Sequence, residues 1–146
     1  MAANDQRVGK RYYTPAQANA ALPLVRAIVQ DIVDLARDLH ERQERTEPGR
    51  LGNRGRLSPA HEEELAPGRA EMERGQERMR ELERELADLG IELKDYISGL
   101  IDFRSRMDGR DVYLCWKLGE PVVGYWHELD AGFAGRQRLK LDTTRV

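Results

Sequence analysis

Residues 112–127 read Val-Tyr-Leu-Cys-Trp-Lys-Leu-Gly-Glu-Pro-Val-Val-Gly-Tyr-Trp-His. Two apolar runs rich in β-branched and aromatic residues flank Gly119-Glu120-Pro121, which is the pattern of a β-hairpin. Pairing across a two-residue loop would put Leu114, Trp116, Val123, Tyr125 and His127 on one face. Tyr113, Cys115 and Trp126 would share the other. Bulky groups on both faces imply that both are covered. Ile91–Leu93 and Leu100–Phe103 are shorter strand candidates upstream. A β region is therefore expected over residues 91–141.

Before Gly90 the apolar period changes from 2 to 3.6. A second helix is expected over 59–89, with Ser58 as its cap and Pro59 in its first turn. Its core positions are Leu65, Met72, Met79, Leu82, Leu86 and Leu89. They follow a heptad, coiled-coil-like seam with gaps at Gly68 and Gly75, where a neighbouring backbone could come close. Pro67 could bend or interrupt this helix. Glu71–Arg74, Glu77–Arg80 and Glu81–Arg84 have the spacing of surface ion pairs.

The first helical segment is expected over 13–45. Thr14-Pro15-Ala16-Gln17 has the form of a capping box with Pro in the first turn. Pro23 predicts a kink or a short helix ahead of a longer one. Leu22, Val25, Val29, Ile32, Ala36 and Leu39 form the stripe, widened by Ile28, Val33 and Leu35. Residues 46–58, with Pro48 and several glycines, read as a loop, and residues 1–12 as a flexible polar tail. Two helices joined by one loop predict an antiparallel hairpin. A helix of about 30 residues is ~45 Å long, so the loop end should project. The expected class is α+β: a long antiparallel helical hairpin packed against a small, mainly antiparallel C-terminal β-sheet, as a single domain over 1–146.

The composition agrees. The chain has 146 residues, 34% of them charged, with a net charge of −2 that identifies no partner. The charged share exceeds the usual quarter, which suits a helix-rich, high-surface shape. Cys115 is the only cysteine, so an internal disulfide is impossible. The first residues lack an apolar signal core, and no stretch approaches the ~18 apolar residues of a membrane span. A cytoplasmic location is expected.

The motifs are also similar to those of a known family. Tyr13-Thr14-Pro15-Ala16-Gln17-Ala18-Asn19 with Leu22-Pro23-Leu24 resembles the opening of a bacterial family of uncharacterised proteins, a domain of unknown function. Gly99-Leu100-Ile101-Asp102-Phe103 resembles its middle motif. Asp108-Gly109-Arg110, Tyr113-Leu114-Cys115-Trp116 and Gly119-Glu120 resemble the next. Tyr125-Trp126-His127-Glu128-Leu129-Asp130-Ala131-Gly132-Phe133-Ala134-Gly135-Arg136 resembles the last. The likeness covers about residues 12–140 and implies no reaction.

Three places could carry chemistry. The first holds His127, Glu128 and Asp130, joined by Asp102 and Glu120. Histidine and carboxylates can bind a divalent metal or move protons. His127 and Glu128 point to opposite faces of a strand, so both bind one ion only if the strand ends or bulges there. The plain alternative is a packed His127, a solvated Glu128 and a capping Asp130. The second is Gly132-Phe133-Ala134-Gly135-Arg136, where exposed backbone N–H groups and Arg136 could take an anion. The plain alternative is a turn with Arg136 paired to Asp130 or Asp102. The third is the loop bearing Arg50, Arg54 and Arg56, which could touch phosphates. Cys115, flanked by Leu114 and Trp116, reads as core filler.

Three functional readings follow. The leading one is a protein-interaction or scaffold module working through its helices, with itself or another protein as partner. The alternative is a metal- or small-molecule-binding protein, possibly an enzyme, built on Trp116, Trp126, His127 and Arg136. Nucleic-acid contact through the arginine loop ranks last, because the chain and the helices flanking that loop are acidic.

Overall fold

The computed structural model describes residues 11–52 and 59–140. Helix α1 spans Pro15–Gly52 and helix α2 spans Pro59–Asp88. Strands follow at Ile91–Asp95 (β1), Leu100–Met107 (β2), Arg110–Lys117 (β3), Tyr125–Glu128 (β4) and Gln137–Arg138 (β5). A 3₁₀ turn, Phe133–Gly135, lies between the last two strands. The sheet order is β1-β2-β3-β4-β5, and every pairing is antiparallel. The α+β class and the hairpin-on-sheet arrangement are as expected. No helix among the described residues is long and apolar enough to cross a membrane.

The start of α1 follows its sequence closely. The Gln17 N–H donates to Thr14 Oγ1 at 3.1 Å, and the Thr14 N–H donates to Gln17 Oε1 at 3.0 Å. This is a reciprocal capping box. Helix α1 then runs unbroken through Pro23. Burial of Leu22, Val25, Val29 and Ile32 against the sheet offsets the cost of an interior proline, about 3 kcal/mol. The loop expected over 46–58 is shorter, because α1 continues to Gly52. Residues 53–58, including the expected Ser58 cap, lie outside the described residues. Helix α2 is likewise continuous through Pro67-Gly68.

The helices are antiparallel, as two contacts establish. Arg42 donates to Glu71 at 2.6 Å, and a Cβ on Gly75 would lie 2.6 Å from Leu39 Cδ2. Gly75 thus serves a close approach, as its place in the seam suggests. Gly68 does not, since a Cβ there would meet nothing within 4 Å. Of the expected surface pairs, Glu77–Arg80 forms, while Glu71 reaches across to Arg42 and Glu81 pairs with Arg78. Full burial on α1 ends at Val33, and on α2 it covers Leu82 and Leu86. The core therefore sits at the sheet end of the hairpin.

One face of the sheet carries that core. Ile91, Ile101, Phe103, Leu114 and Trp116 pack with Leu22, Val25, Val29 and Ile32 of α1 and with Leu82 and Leu86 of α2. Tyr13 pins the junction: its N–H donates to Arg104 O, its hydroxyl donates to Leu89 O, and its ring packs edge-on against Phe103.

The β3–β4 connection differs from the expected tight turn. It spans residues 118–124 and shifts the register by one, so that Leu114 pairs with Trp126, Cys115 with Tyr125 and Tyr113 with His127. A shift of one residue moves every side chain of a strand to its other face. Tyr125 and His127 therefore join Tyr113 and Cys115, while Trp126 goes with Leu114. Val123 leaves the ladder because α1 supplies a substitute: the Val123 N–H donates to Asn19 Oδ1 at 2.8 Å, and Asn19 Nδ2 donates to Val123 O at 3.2 Å. The Trp116 indole and the Lys117 N–H both donate to Glu120, closing the loop from the strand side.

Candidate functional site

The sheet face turned away from the helices carries a row of side chains, one from each strand: Glu92, Asp102, Cys115, Tyr125 and Arg138. The adjacent row is Arg104, Tyr113 and His127. His127 on β4 reaches diagonally over β3 to Asp102 on β2. Its Nε2 lies 3.1 Å from each Asp102 carboxylate oxygen, and Cys115 sits in the same cluster. All three side chains are buried although no helix among the described residues covers this face. Their cover is local. The Tyr113 ring lies 5.4 Å from the His127 ring, and Arg136 Nη1 lies 3.7 Å from Cys115 Sγ.

The protonation of this cluster follows from its partners. His127 Nδ1 is 2.7 Å from Glu128 O, which can only accept, so Nδ1 carries a proton. Nε2 then faces a carboxylate. Two bare acceptors at 3.1 Å would repel, so a cation must lie between them. Burial raises the Asp102 carboxyl above its ordinary value, with the His127 imidazole pulling the other way. Burial also pushes the Cys115 thiol up to about 11, so it is protonated at neutral pH and unreactive as a nucleophile.

The donor atoms of Asp102, Cys115 and His127 all lie within 4.8 Å of one another. Two ligands bound tetrahedrally at ~2.0 Å sit about 3.3 Å apart, close to the 3.1 Å between Nε2 and the carboxylate. A metal-binding histidine commonly donates its other N–H to a carbonyl, as Nδ1 does here to Glu128 O. Thiolate, imidazole and carboxylate together suit a borderline-soft divalent ion such as zinc. Three protein ligands would leave one position open.

The structure sorts the sequence candidates by face. Asp102 and His127 come together. Glu128 points to the opposite face and pairs with Arg110 at 2.6 Å, a hydrogen bond that lowers its carboxyl below the ordinary value. Asp130 is exposed in the turn after β4. Trp116 is buried in the helix-side core, and Trp126 lies on that same side, so neither joins His127 and Arg136 in one pocket. Arg136 pairs with Glu120 rather than with Asp130 or Asp102. Arg54 and Arg56 lie outside the described residues, as does the side chain of Arg50. Cys115, Tyr113 and Tyr125 were absent from the metal and ligand candidates. Only the register of β4 could have brought them in, because that register decides which face His127 shares.

Comparison with known proteins adds membership without chemistry. No curated protein and no solved structure matches the chain. A family model described as "Uncharacterized conserved protein (DUF2203)" matches residues 11–139, from the segment ahead of α1 to the end of the sheet. The chain therefore belongs to that uncharacterised conserved family.

Proposed function

We propose that the protein binds a divalent metal, zinc by its donor chemistry, through Asp102, Cys115 and His127. The observation that carries this reading is the buried His127 Nε2 held against the Asp102 carboxylate, with the Cys115 sulfur within 4.8 Å. An open fourth position would let the ion bind or polarise a small ligand, as in catalytic zinc sites. A reducing bacterial cytoplasm fits the reading, because Cys115 is a free thiol.

Elemental analysis of the purified, untagged protein tests it. About one zinc per chain is expected in the parent, and its loss in His127→Ala and in Cys115→Ser. Cobalt substitution should give a thiolate-to-metal charge-transfer band that Cys115→Ser abolishes. Metal-free parent protein that also fails to take up added zinc or cobalt would end the proposal.

A second reading, self-association through the hairpin, is favoured by its outer half. There Leu35, Leu39, Leu65, Met72 and Met79 are only partly buried. Sedimentation should then show a dimer that Leu39→Glu with Met72→Glu converts to monomer. A parent chain that stays monomeric at high concentration would leave the seam as a purely intramolecular contact.

A further inference from the structure

Beside the metal cluster, three cations gather around two aromatic rings. The Arg136 guanidinium lies 3.8 Å from the Tyr125 ring centroid and 4.4 Å from that of Phe133. Lys117 Nζ is 5.1 Å from the Phe133 centroid, and the Arg138 guanidinium is 5.7 Å from that of Tyr125. Arg136 thus stands in the middle, with Lys117 and Arg138 flanking it. The aromatic faces attract the cations and hold them near one another despite their like charge.

Their charges are unequally balanced. Arg136 is gripped by Glu120 through both terminal nitrogens. Lys117 and Arg138 have no ion pair among the described residues. Among the described residues two positive charges, one on either side of Arg136, are therefore left without an ion-pair partner, on a chain whose net charge is −2. A monoanion would cancel only one of them, whereas a phosphate group with a charge near −2 would cancel both. Glu120 also accepts the Lys117 backbone N–H, so the loop and the end of β3 are fixed relative to Arg136 before any ligand arrives. Phe133 is 41% exposed and offers a flat apolar surface at the rim.

We propose that Lys117, Arg136 and Arg138, set around Tyr125 and Phe133, form a subsite for a phosphate dianion, free or carried as a monoester on a flat apolar group. Arg136 Nη1 is 3.7 Å from Cys115 Sγ, so the bound phosphate lies next to the metal cluster. As a substrate subsite it rests on the metal reading, in which Asp102, Cys115 and His127 would hold the ion that polarises the phosphate. As an anion site it stands without the metal.

Titration of the full-length, chelator-treated protein with inorganic phosphate, phenyl phosphate and benzoate tests it by calorimetry at low salt. Both phosphates should bind, with phenyl phosphate tighter and benzoate at least about tenfold weaker. Lys117→Ala with Arg138→Ala should weaken both phosphates about tenfold, since both flanking charges are lost. Phe133→Ala should erase the preference for the phenyl ester. All three side chains are outside the core, and circular dichroism verifies that the variants fold. No phosphate binding at millimolar concentration, equal binding of benzoate, or unchanged binding by the charge variant would each overturn the proposal. Phosphate binding without metal uptake in the elemental analysis would remove the metal reading alone. Metal uptake without phosphate binding would remove the subsite alone.

Discussion

Zinc titrated into the metal-free protein at neutral pH should release at least about one proton per chain, and its apparent affinity should fall at least about tenfold for each unit of pH lost. That proton comes from Cys115. Burial pushes that thiol up to about 11, so it holds its proton throughout the neutral range, and binding must expel it. The sign follows directly: below about 11, each fall of one pH unit adds tenfold to the proton's competition for the sulfur. The Cys115 thiolate and the Asp102 carboxylate would offset the charge of the divalent ion, which avoids the several kcal/mol of burying a net charge. Calorimetry in buffers of different ionisation enthalpy counts the protons. Cys115→Ala should remove that one proton from the count and a factor of about ten from the slope per pH unit. Metal binding with no proton release would place the ion elsewhere on the chain.

Gly99→Ala should lower folding stability by about 3 kcal/mol, read as a reduced midpoint in urea unfolding with an unchanged slope. Gly99 ends the β1–β2 turn with φ of 72°, in the left-handed region that glycine adopts freely. A Cβ there would lie 2.8 Å from Leu118 Cβ, 3.0 Å from Val29 Cγ1 and 3.1 Å from Val33 Cγ2. Leu118 Cβ is fixed to its backbone, and Val29 and Val33 belong to the core. The substitution therefore adds overpacking, about 1–3 kcal/mol, to a backbone cost of about 1 kcal/mol. Gly68→Ala is the control: Gly68 is helical with open space around it, and alanine there should stabilise by about 0.5–1 kcal/mol. Equal behaviour of the two variants would mean that the β1–β2 turn does not press on α1.

Most of the scaffold was legible from local chemistry. The capping box at Thr14 and Gln17, the apolar stripe of α1 and the alternation in β3 each act over a few residues, where periodicity is informative. Other features depend on partners far along the chain. Helix α1 continues past residue 46 to Gly52, although Pro48 and the glycines suggest a loop. The register of β4 depends on Asn19, which holds Val123 out of the ladder from 104 residues away. Nothing within the 112–127 stretch signals that bond. The candidate site inherits the same difficulty. His127 and Asp102 stood out as chemistry, but the face of Cys115 relative to His127 is a matter of register, and a one-residue error hides it.

The sheet is a plain meander, in which each strand lies beside its predecessor. Its own contacts can therefore close early, since short loops lose little entropy. Helix α1 stands at the other extreme, with tertiary partners such as Pro121 and Val123 that come late in the chain. On the ribosome α1 and its apolar stripe are finished well before those partners exist. Until the sheet emerges, only α2 can shelter that stripe, and it fully buries only Leu82 and Leu86 in the finished fold. The apolar stripe of α1 should therefore lack its final cover during that stage, which is when such a chain is most open to aggregation.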